Sequence, residues 1–84
     1  MMNYIATFYT HYGAMCFHSH CAANYISAKL APVPRELSSS CGVAVRFESE
    51  RDVEAVRQNL ELAKHEDLES CYIIENGTYT PVYP

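Results

Sequence analysis

The stretch Gly42-Val43-Ala44-Val45-Arg46-Phe47-Glu48, together with the segment directly after it, decides the fold. Val43, Val45 and Phe47 alternate with Ala44, Arg46 and Glu48, the period of a strand with one face buried and the other wet. Beyond it the period changes: Val53, Val56, Leu60 and Ala63 recur at helical spacing to about Glu66. Ser49 with Asp52 three residues on resembles a capping box with Asp in the acidic position.

Working outward, Leu68 to Glu75 reads as a final strand, Asn76-Gly77 as a tight turn, and Thr78 to Pro84 as an extended, proline-ended tail able to add a short strand. Upstream, Ser27 to Val33 alternates but meets Pro32 and Pro34, which suit an edge strand and not a central one. Asn3 to Thr10 is rich in aromatic and β-branched residues and reads as the first strand. It leads into a helix from His11 to about Asn24, where Ala14, Phe17 and Cys21 form one apolar stripe. Thr10 is the expected N-cap, and Gly13 leaves room for another backbone or a ligand. The order βαββαβ, with short connections and right-handed crossovers, predicts an α+β, ferredoxin-like sandwich. Its four antiparallel strands would lie in the order 4-1-3-2, with both helices on one face and the other face open.

Eighty-four residues suffice for one core only, so residues 1–84 are expected to form a single domain, with 76–84 as its tail. An apolar fraction of 49% with 19% charged residues is that of a packed globular protein. A net charge of -4 with scattered basic residues gives no footprint for nucleic acid. No apolar run is long enough to cross a membrane and no basic segment leads into one, so a cytoplasmic location is expected. Seven tyrosines without a tryptophan could cover the open sheet face through a homodimer, or simply keep wet hydroxyls over half-buried rings.

Chemistry points to the loop Pro34 to Gly42. Two strands run toward the same sheet edge, which should set this loop beside the N-terminus of the first helix, around Thr10 to Gly13, and its partial positive charge. The loop presents Cys41. A thiol beside a helix N-terminus and basic groups is held more readily as the thiolate, the form that attacks electrophiles and carries sulfur or selenium. Arg35 and His11 could assist that ionisation, Ser38, Ser39 and Ser40 supply hydroxyl donors, and Gly42 permits close backbone approach. At nine residues the loop exceeds a minimal hairpin connection. The bland reading makes Cys41 a small hydrophobe at the start of a strand.

The remaining cysteines are duller. Cys21 and Cys71 fall on apolar stripes. Cys16 with His20, and His18 with Cys21, have helical spacing but lie on different sides, and no second cluster completes a metal shell, so neither metal nor cofactor is expected. No Cys-x-x-Cys, catalytic triad order, phosphate-cradling glycine loop or paired acids occur, which disfavours a self-sufficient enzyme.

On Tyr4 to Tyr9, Ala28-Lys29-Leu30, Pro34-Arg35-Glu36-Leu37-Ser38-Ser39-Ser40-Cys41-Gly42 and Arg46-Phe47, the chain resembles the selenium/sulfur carrier protein-like family of small bacterial domains. The resemblance spans residues 3 to 75. It implies that Cys41 holds a persulfide or selenopersulfide, taken from a donor such as a cysteine desulfurase and passed to an acceptor protein. No second thiol adjoins Cys41, so a partner's thiol would resolve the transfer. The alternative is a non-catalytic dimeric binding or regulatory module, with an anion or small-metabolite site formed by the same loop and the N-terminus of the first helix.

Overall fold

The computed structural model describes all 84 residues. Strand β1 (Met2–Phe8) leads into helix α1 (His11–Ala23), then β2 (Ala28–Pro32), β3 (Val43–Ser49), α2 (Val53–Ala63), β4 (Leu68–Glu75) and β5 (Thr78–Tyr83). One sheet holds all the strands, antiparallel, in the order β2-β3-β1-β4-β5. The expected four-stranded sheet is therefore corrected to five. The order 4-1-3-2 survives within it, read from the opposite edge, and the tail joins β4 as a hairpin strand. Asn76 and Gly77 make that possible: both take positive φ, +50° and +75°, so the two-residue turn matches the twist of the strands it joins.

Both helices pack on the face presented by Tyr4, Ala6 and Phe8 of β1, Val45 and Phe47 of β3, and Cys71 and Ile73 of β4. Phe17 is the centre of this core, its ring 5.5 Å from that of Phe8 and 5.3 Å, edge-on, from that of Phe47. Tyr4 stacks on Phe47 at 5.2 Å. The opposite face is not open at its middle, because Ile5, Thr7 and Ala44 are fully buried there. Ile5 lies between Arg46 and Tyr72 in the register, both half-buried, and side chains of that length reach across a central strand.

The local signals act with two adjustments. Thr10 caps α1 as expected, accepting from Gly13 N–H at 3.0 Å. For α2 the cap is Asp52, whose Oδ1 accepts from Ala55 N–H at 2.8 Å, and not Ser49, which instead accepts from Arg51 N–H at 3.1 Å. Helix α2 also stops at Ala63, short of Glu66, because Lys64 turns into the left-handed region. Helix α1 ends in a six-to-one closure, Ile26 N–H to Cys21 O at 2.9 Å with Tyr25 N–H to Ala22 O at 3.2 Å, and Tyr25 supplies the positive φ usually left to glycine.

Candidate functional site

Between β2 and β3 the chain makes a loop whose base is closed by Val33 N–H donating to Gly42 O at 3.1 Å. At its tip Leu37 N–H returns to Pro34 O at 3.0 Å, a turn that leaves Arg35 and Glu36 exposed. The far limb is fastened by one carboxylate. Glu69 accepts from Ser39 Oγ at 3.1 Å and Ser40 N–H at 3.2 Å on Oε1, and from Ser40 Oγ at 3.2 Å on Oε2. Ser39 Oγ also lies 3.2 Å from Phe8 O, so its one hydrogen is shared between two acceptors, while its lone pair receives Cys41 N–H at 3.4 Å.

Glu69 was not singled out by sequence reasoning. It can reach the loop because the β1·β4 register slips there: Thr7 pairs with Ser70 and Phe8 with Leu68, which leaves Glu69 as the unpaired, bulged residue. A bulge next to a site commonly re-aims a side chain. The only sequence signal was a carboxylate at the second position of the strand Leu68–Glu75.

Cys41 follows this anchored segment. It is half-buried, packs against the edge of the core, and its thiol donates to Val43 O at 3.4 Å. Val43 in turn borders a shallow depression of about 310 Å³ shared with His11 and Met15 of α1 and Leu30 and Ala31 of β2. The structure thus gathers Cys41, Ser39, Ser40 and Glu69, with exposed His11 on the other side of Val43. Other expected participants stand apart. The Thr10 hydroxyl donates to Asp67 Oδ2 at 2.7 Å while capping Gly13, so this end of α1 is occupied by the chain's own groups. Gly13 is pressed against the same segment: a Cβ there would fall 2.6 Å from Glu66 O. Arg35 is exposed and takes no part in an ion pair, since both ion pairs join Arg57 to Glu54 and Glu61 on α2. Ser38 is exposed. Gly42 is exposed and a Cβ would meet nothing within 4 Å, so close backbone approach is not its role in this state.

All four cysteines are free thiols. Burial pushes the Cys21 thiol up to about 11 and the Cys71 thiol up to about 12, so both are protonated and sealed in the core. Cys16 is half-buried on α1. No three His, Cys, Asp or Glu side chains converge in a way that could hold a metal ion, and no helix is long and apolar enough to cross a membrane.

Compared with known families, the chain matches a family model described as "Putative Se/S carrier protein-like" over residues 3–70, a segment that contains the whole loop and Cys41. No curated protein and no solved structure matches it.

Proposed function

The chain belongs to the putative Se/S carrier protein-like family, and from that premise we propose that it carries a sulfane sulfur or selenium atom on Cys41 between partner proteins. The observation that carries this reading is the contrast among the thiols. Cys21 and Cys71 are sealed in the core; of the two half-exposed thiols, Cys16 lies within helix α1, whereas Cys41 stands at the end of a loop pinned by Glu69.

The transfer needs no outside oxidant. Cys41 loses its thiol proton to solvent, and the thiolate attacks the outer sulfur of a donor's persulfide. The donor's S–S bond breaks, its electron pair leaves on the donor thiolate, and a new S–S bond forms on Cys41. An acceptor nucleophile then takes the outer atom by the same displacement and returns the Cys41 thiolate. A cysteine desulfurase is a donor of the right chemistry. In the free chain the Cys41 thiol donates to the Val43 carbonyl, so donor docking must turn the side chain away from Val43 O. Arg35, unpaired at the loop tip, and exposed Ser38 are the loop donors left free to meet the anion, with exposed His11 nearby, while Ser39 and Ser40 are held by Glu69 and Thr10 by Asp67.

The competing reading, a binding or regulatory module in which the thiol is incidental, draws on the same S–H contact and on the packing of Cys41 against the core. One experiment separates the two. Incubation with a cysteine desulfurase and cysteine should add the mass of one sulfur at Cys41, removable by reductant. An equally abundant adduct on the Cys41→Ser variant, or none on the wild type, would rule the carrier out.

A further inference from the structure

At the other end of the sheet from Cys41 lies a cavity of about 450 Å³ between the last turns of α1, the inner face of α2 and the turn after β3. Its volume lies in the range of small-molecule sites. The inner wall is apolar and aromatic, formed by Phe17, Phe47, Val56 and Leu60, with the imidazoles of His20 and His65 beside it. Those two rings stand 4.7 Å apart, and His65 also meets Phe17 edge-on at 4.8 Å. Burial, with the neighbouring His20, pushes the His65 pKa below the usual histidine value, which favours its neutral imidazole.

The rim differs from the wall. Glu48, Glu50 and Arg51 all border the cavity, and none of the three pairs with another, since the chain's only ion pairs are those of Arg57. The Ser49 to Arg51 hydrogen bond holds the backbone of the turn that carries Glu50 and Arg51, and Glu48 precedes it on β3, so residues of both charges border one opening. A simple anion would meet two carboxylates beside the one guanidinium. A simple cation would leave Arg51 without a partner. A molecule bearing both charges on one short backbone, with an apolar tail, matches rim and wall together.

We propose that this cavity binds a free α-amino acid with an apolar side chain, its carboxylate toward Arg51, its ammonium toward Glu48 and Glu50, and its side chain against Phe17, Phe47 and Leu60. The site is independent of the carrier chemistry. Cys41 precedes β3 and the rim gathers at its far end, from Glu48 to Arg51, and the length of the strand puts about 20 Å between them.

The test is a titration of the isotopically labelled full chain, monitored by NMR, with L-leucine and L-phenylalanine against N-acetyl-L-phenylalanine and L-phenylalanine amide. The free amino acids should shift the amide signals of Leu60, His65 and Arg51, and blocking either charged end should weaken binding by about fivefold, the worth of one solvent-exposed ion pair. Arg51→Gln, at an exposed position that should not affect folding, should bind the amide and the free acid equally. The proposal is overturned if millimolar amino acid leaves those signals in place, if capped and free ligands bind alike to the wild type, or if Arg51→Gln keeps the preference for a free carboxylate.

Discussion

Glu69→Ala should free the segment that carries Cys41 while leaving the core intact. The carboxylate accepts hydrogen bonds from Ser39 Oγ, Ser40 N–H and Ser40 Oγ at 3.1 to 3.2 Å. Ser40 is exposed, so water competes for its two bonds, and each of the three is placed at the low end of the range for a hydrogen bond, about 0.5 kcal/mol. Their sum is about 1.5 kcal/mol, which for a domain of this size lowers the melting temperature by about 6 to 12 °C. Ser39 keeps the Phe8 carbonyl as an acceptor, which limits the loss. Calorimetry measures the stability, and hydrogen exchange at the Ser40 amide measures the loop, whose protection should vanish in the variant. A melting temperature within about 2 °C of wild type, with Ser40 still protected, would refute the assignment of Glu69 as the loop's anchor.

Other substitutions test the frame that holds the site. Gly13→Ala should gain about 1 kcal/mol of helix propensity yet lose about 1 to 3 kcal/mol to overpacking, because the new methyl would sit 2.6 Å from Glu66 O; urea denaturation should show a net loss, and a more stable variant would contradict the close approach. Tyr25→Gly should raise stability by about 1 kcal/mol, since Tyr25 is almost fully exposed and holds a φ of +59° that a side chain disfavours; an unchanged denaturation midpoint would count against that strain. His65 binds its proton more weakly folded than unfolded, so its contribution is intact above the ordinary value of 6.5 and falls away as the pH drops below it. Unfolding free energies measured from neutral to mildly acidic pH should decline accordingly, and His65→Gln should flatten that slope; an identical slope in the variant would show that other groups carry it.

The secondary structure was largely legible because each element carried its own local signal. Thr10 stands where a helix must begin, Asn76-Gly77 where a hairpin must turn, and the change of period after Phe47 marks the passage from strand to helix. The tail was harder. Thr78 to Tyr83 has Pro81 in its midst, and its place as a fifth strand depends on the free edge of β4, which a local pattern does not reveal. Sequence spacing sets the cap of α2 at Ser49, too early, because Ser49 and Asp52 are both capping residues and only the backbone shows which of them leaves the helix.

Of the candidate site, the sequence by itself determined which atoms are on offer: one cysteine displayed in a long serine-rich loop, and two others on apolar stripes where the core would take them. Tertiary structure alone decided what surrounds them. Glu69 reaches Ser39 and Ser40 through a register slip, Asp67 takes the Thr10 hydroxyl, and His20 of α1 meets His65 beyond the end of α2. Each of these pairs joins residues 29 to 57 apart along the chain. Local propensity acts over one turn of helix or one strand pair, whereas such meetings are set by how the sheet twists and where the helices settle on it.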